Sequence, residues 1–295
     1  MVTILVTGSK GQLGSEIKAI AREFPFYSFL FTDVEELDIT DREKSDHFIR
    51  ETEPDVIINC AAYTAVDKAE EEPEKAMWLN RDAVSNLAGA CDKYDCFMVQ
   101  ISTDFVFDGE NSIPYREEDI PCPMSVYGLS KLDGEEALMA CLQKGMIIRT
   151  SWLYSSFGNN FVKTILKKAK ETGHLNVVDD QVGSPTYARD LARTILNILP
   201  SAMAVQQLEL FHFANEGSCS WYEFAREIVA LAKIECKIDP VKTGHYPAKA
   251  KRPAYSVLNA SLIKGRYGIT IPDWKESLAK CLSELNKTTS IIRRD

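Results

Sequence analysis

Long apolar runs are missing from this sequence. No stretch approaches the roughly 18 consecutive apolar residues that a membrane-spanning helix requires. The first residues, MVTILVTG, show no basic segment followed by a long hydrophobic one. We therefore expect neither a signal peptide nor a membrane span. The composition is that of an ordinary globular protein, with 45% hydrophobic and 26% charged residues, and 295 residues can bury a large core.

Paired cysteine motifs and histidine clusters are also missing. The eight cysteines include no C-x-x-C pair, and the four histidines lie far apart without metal-binding spacing. Scattered thiols without a disulfide framework indicate a reducing compartment. We therefore expect a cytoplasmic protein whose cysteines serve as small core residues, and we expect no zinc site.

Positive charge is in deficit. The net charge of −9 argues against a nucleic-acid partner, because that binding depends on neutralising phosphates. Against this background the basic cluster of Lys249, Lys251 and Arg252 stands out. It is either a solvated loop or a clamp for an anionic ligand.

The first half of the chain alternates strand-like and helix-like segments. Apolar runs occur at 2–7, 27–33, 55–62, 97–102 and 146–150, separated by segments with helical spacing such as 74–94. This alternation predicts an α/β fold with a doubly wound, Rossmann-type parallel sheet. Beyond residue 150 the alternation loosens, which predicts a smaller mixed α/β lobe. The patterns Thr40-x-x-Glu43 and Ser220-x-x-Glu223 predict capping boxes at the starts of two helices.

Three glycines follow the first predicted strand. In TGSKGQLGSEI, Gly8, Gly11 and Gly14 are spaced G-x-x-G-x-x-G between a strand and a helix. Glycine permits a tight turn and a close approach to a pyrophosphate, whose charge is met by free N–H groups at the helix N-terminus. Asp33 ends the second predicted strand, where an acid hydrogen-bonds the adenosine ribose and favours NAD over NADP. The alternatives are a plain βα turn and a turn-forming aspartate.

The G-x-x-G-x-x-G spacing resembles that of the extended short-chain dehydrogenase/reductase superfamily. In SVYGLSK, Tyr127 and Lys131 lie four residues apart on one face of a predicted helix. Without other motifs to support it, a Tyr-x-x-x-Lys pattern would usually be a pair of surface side chains. The resemblance implies that Tyr127 donates or accepts a proton. It also implies that Lys131 holds the nicotinamide ribose and lowers the pKa of the phenol. Thr103, beside Ser102 in QISTDFVFDG, matches the third catalytic position.

Five stretches narrow the resemblance. They are NCAAYTAVDKAE (59–70), STDFVFDG (102–109), RTSWLY with GNNFVKTIL (149–166), VVDDQVGSPTYARDLA (177–192) and RPAYSVLN (252–259). Together they are similar to the dTDP-4-dehydrorhamnose reductase family, in register over most of the chain. The resemblance implies that NADPH or NADH delivers hydride to C4 of dTDP-4-dehydro-β-L-rhamnose, giving dTDP-L-rhamnose, a precursor of cell-surface polysaccharide. The partner it implies is a dTDP-sugar.

The same resemblance implies three sets of site residues. The catalytic set is Thr103, Tyr127 and Lys131. The cofactor-binding set is Gly8, Gly11, Gln12, Leu13, Gly14, Asp33, Asp38, Ile39, Ala61, Ala62, Tyr63, Ser102, Tyr127 and Lys131. The substrate-binding set is Val66, Asp67, Thr103, Asp104, Trp152 and Arg252. Alternatives stay open for three of these: Trp152 could be a core residue, Asp67 a helix cap and Arg252 a surface charge.

Related reactions leave further alternatives. Nucleotide-sugar dehydratases are also similar, but they carry a glutamate where this chain has Phe105, and phenylalanine cannot transfer a proton. Dehydration is therefore disfavoured. An NAD-dependent nucleotide-sugar epimerase uses the same catalytic residues and remains an alternative. A non-catalytic, cofactor-binding regulatory subunit is another.

A metal and the domain division complete the expectations. Some reductases of this family form dimers bridged by a divalent metal through acidic side chains. Glu16 could supply a ligand for Mg²⁺, but Arg189 stands where a second carboxylate would be expected, which argues against a metal here; a homodimer stays open. We expect a dinucleotide-binding Rossmann domain at 1–152, completed by elements within about 186–215. Residues 153–185 and 216–295 would form the substrate lobe.

Overall fold

The chain folds around a parallel sheet flanked by helices. The structure, a computed structural model, describes residues 1–245 and 248–292. The strands are β1 (Val2–Thr7), β2 (Tyr27–Phe31), β3 (Val56–Asn59), β4 (Phe97–Thr103), β5 (Gly145–Thr150), β6 (Leu153–Tyr154), β7 (His174–Val178), β8 (Val182–Gly183), β9 (Thr186–Tyr187), β10 (Leu208–Phe213), β11 (Cys219–Ser220) and β12 (Lys237–Val241). The helices are α1 (Gln12–Ile20), α2 (Arg42–Thr52), α3 (Val66–Ala69), α4 (Pro73–Met77), α5 (Ala83–Tyr94), α6 (Val126–Cys141), α7 (Phe161–Thr172), α8 (Ala188–Met203), α9 (Trp221–Leu231), α10 (Ser261–Tyr267) and α11 (Trp274–Ile292).

Six strands form the central sheet in the order β10-β5-β4-β3-β1-β2, with every neighbouring pair parallel. In this register Ile4 lies between Phe29 of β2 and Val56 of β3. All four residues of β3 are buried, which explains its continuous apolar run, since a parallel strand is covered on both faces. The predicted Rossmann-type sheet is confirmed.

Helices bury one hydrophobic layer on each face of the sheet. On one face Leu13 of α1 and Leu191 of α8 pack against the strands. On the other face Ile49 of α2, Leu87 of α5 and Leu138 of α6 do so. Burying one such side chain contributes about 1.5–3 kcal/mol, so the two layers hold the helices firmly. The carboxyl ends of the strands then meet at one edge, where open α/β sheets bind ligands.

The helix predicted over 74–94 is present but not uniform. A π-helical turn, Trp78–Asp82, joins α4 to α5. Of the two capping boxes, the one at Ser220 and Glu223 is confirmed, with both reciprocal hydrogen bonds present. The one at Thr40 is wrong, because Asp41 caps α2 by accepting from the backbone N–H of Lys44, at 3.0 Å.

The second half of the chain builds a smaller hydrophobic cluster beside the sheet edge. Tyr154, Phe224 and Trp274 pack together at its centre, between α7, α9 and α11. Strand β12 pairs in parallel with β7 at its surface. The chain thus carries its sheet and this mixed cluster side by side. In the part of the chain that the structure describes, no helix has the length and apolar character needed to cross a bilayer.

Candidate active site

The glycine loop closes tightly against the segment after β3. Gly8 adopts a φ of +61°, and a β-carbon there would lie 2.6 Å from the backbone nitrogen of Ala61. A β-carbon on Gly14 would lie 2.6 Å from the carbonyl oxygen of Gly8. Gly11 is the N-cap residue of α1 and supplies no side-chain cap, so the first N–H groups of the helix are left for an anion. The loop therefore fits the pyrophosphate of a dinucleotide.

Asp33 is tied to this loop. Its carboxylate accepts from the backbone N–H of Lys10 and of Val34, each at 2.9 Å. A carboxylate has further acceptor positions, so Asp33 can still accept from ribose hydroxyls. The Lys10 ammonium pairs with Glu35 at 2.6 Å in the same corner, and a cation there suits a ribose phosphate. The corner thus offers features suited to NADH and to NADPH.

Helix α6 brings Tyr127 beside the end of β4. Ser125 caps the helix by accepting from the N–H of Gly128, at 3.1 Å. A β-carbon on Gly128 would collide with the carbonyl oxygen of Phe105, so glycine is needed for this close approach. The ring of Phe105 meets that of Tyr127 edge-on, with centroids 5.5 Å apart.

Lys131 is buried one turn further along α6, with only 4% of its surface exposed. Its ammonium donates to the carbonyl oxygen of Ile101, at 2.6 Å. Burial lowers the pKa of Lys131 to about 8, against the opposing attraction of Glu135. The amine is therefore still mostly charged at neutral pH.

The phenol of Tyr127 differs from the expectation. Burial raises its pKa to about 12; hydrogen bonding with Thr103 acts in the opposite direction, and the charge of Asp104 adds to the rise. In this structure Lys131 does not lower it. A phenol with this pKa is fully protonated at neutral pH, which is the form that donates a proton.

Asp104, whose charge acts on the phenol, is buried with 2% of its surface exposed. One carboxylate oxygen accepts from the hydroxyl of Thr103, at 3.1 Å. The other has no partner among the described residues. Burial raises the pKa of Asp104 to about 6, although the neighbouring hydroxyls of Ser256 and Thr103 oppose the rise. A buried acceptor without a partner fits a ligand hydroxyl at this point.

A large cavity opens at Phe105, which follows Asp104 in the chain, between the sheet edge and the smaller cluster. Its volume is about 910 Å³, in the upper range for small-molecule sites. Its aromatic lining residues are Phe105, Trp152, Phe161 and Trp221, and its basic ones are Lys168, Lys249, Lys251 and Arg252. Trp152 stacks on Trp221 with ring centroids 3.5 Å apart, and it has a φ of +45°, which is uncommon for tryptophan. Aromatic faces and cations together suit a nucleoside diphosphate.

Arg252 is fixed in the cavity wall by Asp67. Its guanidinium donates to both oxygens of the Asp67 carboxylate, at 3.1 and 2.8 Å. Asp67 also accepts from the backbone N–H groups of Lys249 and Ala250, each at 3.1 Å. Its pKa is held below the usual range, chiefly by Arg252. Asp67 therefore orders the 249–252 segment and leaves the rest of the Arg252 fork for an anion.

The remaining predicted residues fall in different settings. Gln12 reaches the cluster side, where its amide donates to the carbonyl of Leu153, at 3.3 Å. Leu13 and Ile39 direct their side chains into the core. Ala61, Ala62 and Tyr63 follow β3, and Val66 begins α3. Asp38 accepts from the hydroxyl of Thr40, at 2.6 Å. The hydroxyl of Ser102 is buried and donates to Glu135 rather than toward the glycine loop.

Glu16 does not offer a metal site. The Arg189 guanidinium donates to its carboxylate at 2.7 Å and pairs with Glu284 at 3.2 Å. The hydroxyls of Ser155 and Ser156 donate to the other Glu16 oxygen, at 2.6 and 3.3 Å. Because a fixed cation and two hydrogen bonds already occupy this carboxylate, these residues do not fit a divalent ion. Across the described residues, no group of three or more His, Cys, Asp or Glu side chains could hold one.

Several cavity residues escaped the sequence analysis. Phe161, Lys168, Gln181 and Trp221 line the cavity from the cluster side. The capping residue before Trp221 places it in the first turn of α9. Nothing local shows that its ring faces a cavity, because that depends on the stacking with Trp152.

The fold and the site together define a dinucleotide-dependent α/β enzyme of the short-chain dehydrogenase/reductase class. A parallel sheet, a glycine loop at the first helix and a Tyr-x-x-x-Lys helix beside β4 are the features that carry this assignment. The chain belongs to the family described as the RmlD substrate binding domain, which matches residues 2–287.

Three similar proteins share the name dTDP-4-dehydrorhamnose reductase. The dTDP-4-dehydrorhamnose reductase of Aggregatibacter actinomycetemcomitans is 40% identical, over 94% of this chain and 97% of its own. The crystal structure of a dTDP-4-dehydrorhamnose reductase from Clostridium acetobutylicum is similar with a TM-score of 0.92 and 43% identity, over 97% and 100% of the two chains. The Bacillus anthracis dTDP-4-dehydrorhamnose reductase, solved in complex with NADP, has a TM-score of 0.90 and 36% identity, over 96% and 100%.

Proposed function

We propose that the protein reduces the C4 ketone of dTDP-4-dehydro-β-L-rhamnose to dTDP-L-rhamnose with NADPH or NADH. The observation that carries the proposal is the position of Tyr127 on α6, against Phe105 and beside Thr103 at the end of β4, at the sheet edge where the glycine loop lies. Membership of the family and the shared name of the relatives support the same reaction. The reaction adds one hydride and one proton to the ketone.

The chain's residues divide the work around the ketone. The bound nicotinamide would supply the hydride to C4. Tyr127 would give its proton to the ketone oxygen, and Thr103 would hydrogen-bond that oxygen. The ammonium of Lys131 would then stabilise the phenolate that remains. It would also hold the nicotinamide ribose.

The cavity fits the rest of the substrate. Asp104 offers its unpartnered oxygen to a sugar hydroxyl, and Trp152 would lie against the sugar. Arg252, fixed by Asp67, would bind the diphosphate with two parallel hydrogen bonds. The base would lie among the aromatic rings of the cluster side, where stacking stabilises planar groups.

Domain division, assembly and location follow as further parts of the proposal. Residues 1–152 with elements of 186–215 would form the cofactor domain, and 153–185 with 216–295 the substrate lobe. This division is supported by β10 joining the main sheet and by the separate hydrophobic cluster. Eight free thiols support a reducing location such as the cytoplasm. A homodimer is a further part of the proposal.

A coupled assay tests the reaction. The 4-keto sugar nucleotide is made in situ by the upstream enzymes, and oxidation of NADPH and NADH is followed at equal concentration. We expect one reduced coenzyme consumed per ketone, a product identified by NMR as dTDP-L-rhamnose, and an unchanged rate in EDTA. Absence of turnover with both coenzymes would contradict the proposal. Turnover without net coenzyme consumption would indicate an epimerase.

A further inference from the structure

A buried ion pair lies directly beyond Lys131. Glu135 and Arg149 are 1% and 3% exposed, and three hydrogen bonds join them. The Nε of Arg149 donates to the two carboxylate oxygens at 3.0 and 3.2 Å, and its Nη2 donates at 2.6 Å. The hydroxyl of Ser102 also donates to this carboxylate. Ser102 of β4 and Arg149 of β5 thus hold the side chain of Glu135, which lies one turn of α6 beyond Lys131.

We propose that Glu135 and Arg149 are positioning residues for the reaction: Glu135 keeps the buried amine of Lys131 charged, and Arg149 balances that pull. The inference rests on the proposed function, in which Lys131 acts as an ammonium. Neither residue touches the cavity, so they act through Lys131.

The pKa of Lys131 lies only slightly above neutral pH. Burial disfavours the ammonium, and Glu135 is the group that favours it. With a pKa of about 8, Lys131 is charged at neutral pH by only about ten to one. Without Glu135, two changes would act together: its attraction would be lost, and the unpaired charge of Arg149 would repel the ammonium. Lys131 would then be largely neutral at pH 7.

Other titratable groups nearby act on different partners. They are Tyr127 on α6, Asp104 after β4, Glu70 beside the start of α6, Glu117 in the loop before α6 and His212 on β10. Asp104 acts on Tyr127, and Glu70 accepts from the backbone N–H of Val126, at 2.9 Å. Burial raises the pKa of Glu117, with the charge of Arg149 opposing the rise, and burial together with the charge of Arg149 lowers the pKa of His212. Glu135 is therefore the acid through which Lys131 can be tuned.

Stability alone does not account for the pair. Taking two charges out of water costs several kcal/mol per ion, and hydrophobic residues of similar volume are often neutral or better in such places. A purely structural pair also has no reason to lie next to Lys131. A tuning role explains both its chemistry and its place.

Removing the negative charge in one variant and the positive charge in another distinguishes a tuning role from a purely structural one. Glu135→Gln and Arg149→Met each break the pair, so both should unfold more readily. Their effects on Lys131 should nevertheless have opposite signs. We expect the pKa of Lys131 to fall by about one unit or more in E135Q and to rise in R149M. The double variant E135Q/R149M should lie close to wild type, because both charges are gone.

Two measurements report this pKa. One is a ¹⁵N NMR titration of the lysine Nζ groups in the cofactor-free protein, with the Lys131 signal assigned by its loss in Lys131→Met. The other is the alkaline limb of the pH profile of kcat/KM, which should move the same way. If E135Q does not fold, Glu135→Asp keeps the charge at a greater distance and should give a smaller fall.

The outcomes are distinct. If the pKa of Lys131 is unchanged, or shifts in the same direction in both single variants, the pair has only a structural role. If the pKa of Lys131 shifts in opposite directions in the two single variants but the protein does not turn over the sugar nucleotide, the tuning role is supported and the proposed function is contradicted. Turnover with normal kinetics in E135Q at all pH values would overturn the inference while leaving the reaction intact.

Discussion

Tyr127 carries the one hydroxyl on which the proposed proton transfer depends. Tyr127→Phe removes that hydroxyl and keeps the ring that meets Phe105 edge-on. We expect kcat to fall by about 10²–10⁴-fold, the usual contribution of a positioned acid. Coenzyme binding, measured by NADPH fluorescence, should change little because the glycine loop and Asp33 are untouched.

Tyr94→Phe is the matched control for this substitution. Tyr94 ends α5 and its hydroxyl donates to Asp46, at 3.0 Å, at the opposite edge of the sheet from β4's carboxyl end. Its loss should leave kcat unchanged. A near-normal rate in Tyr127→Phe would show that another group, or water, donates the proton.

At the scale of single residues, the sequence predicted identities better than partners. Tyr127 and Thr103 could be singled out because their local motifs resemble those of a known superfamily. The partners depend on long-range contacts: Asp67 meets Arg252 from 185 positions away. Ser102 was predicted at the cofactor, yet its hydroxyl donates to Glu135 on another element. No local pattern encodes such pairings.

Helix α6 and the π-helical turn at Trp78–Asp82 approach so closely that only glycine fits between them. A β-carbon on Gly134 would overlap the carbonyl oxygen of Asn80. The Asn80 amide donates to the hydroxyl of Ser130 at 2.9 Å and to the carbonyl of Tyr63 at 3.0 Å. The turn thus ties the helix of Tyr127 to the loop after β3.

Gly134→Ala should therefore destabilise the protein. Alanine favours a helix over glycine by about 1 kcal/mol, but the overlap with backbone atoms should cost about 1–3 kcal/mol beyond that gain. Urea unfolding gives the free energy of unfolding directly. Activity should fall as well, because the shift displaces α6.

Gly89→Ala supplies the control within the same helical layer. Gly89 is exposed on α5, and an added methyl group there meets no described atom within 4 Å. It should raise the free energy of unfolding by about 1 kcal/mol. Equal effects of the two alanines would mean that the close contact between α6 and the turn does not constrain the fold.

At the scale of elements, hydrophobic periodicity located the long strands and helices but not their irregularities. The π turn was missed because it uses the same residue types as an α-helix. Strand β12 was missed because its pattern is exposed and contains Pro240. The N-cap of α2 was misplaced from Asp41 to Thr40, since both residues favour caps and only the hydrogen bond to Lys44 decides between them.

At the scale of the whole molecule, the alternation of elements predicted the parallel sheet because each strand and its helix form a local unit. The smaller cluster is different, since its members come from separate stretches of the second half. Its role in the cavity depends on contacts such as Trp152 with Trp221, which join distant segments. The site residues on that side could therefore not be derived from spacing.

Two buried groups give the whole molecule an unusual response to acid. Burial and the charge of Arg149 lower the pKa of His212 from 6.5 to about 3, so the unfolded chain takes up this proton first as pH falls. Stability from His212 is complete above pH 6.5 and is lost between pH 6.5 and 3. Asp104 acts oppositely: its pKa is raised from 3.8 to about 6, so the folded chain takes up its proton first, and acidification from pH 6 to 3.8 stabilises.

The sizes of the two contributions decide whether acidification stabilises or destabilises the protein. At about 1.4 kcal/mol per pKa unit, acidification from pH 7 to pH 4 costs about 3.5 kcal/mol through His212, over the span from 6.5 to 4, and gains about 3 kcal/mol through Asp104, over the span from 6 to 4. The pair alone should thus make the protein less stable at pH 4 than at pH 7. His212→Asn should reduce the loss, whereas Asp104→Asn should enlarge it by removing the compensating carboxyl. Urea unfolding of the three proteins at both pH values measures this. Equal losses of stability in all three proteins would mean that neither side chain is buried as described. The raised pKa of Asp104 beside Tyr127 would then also be wrong.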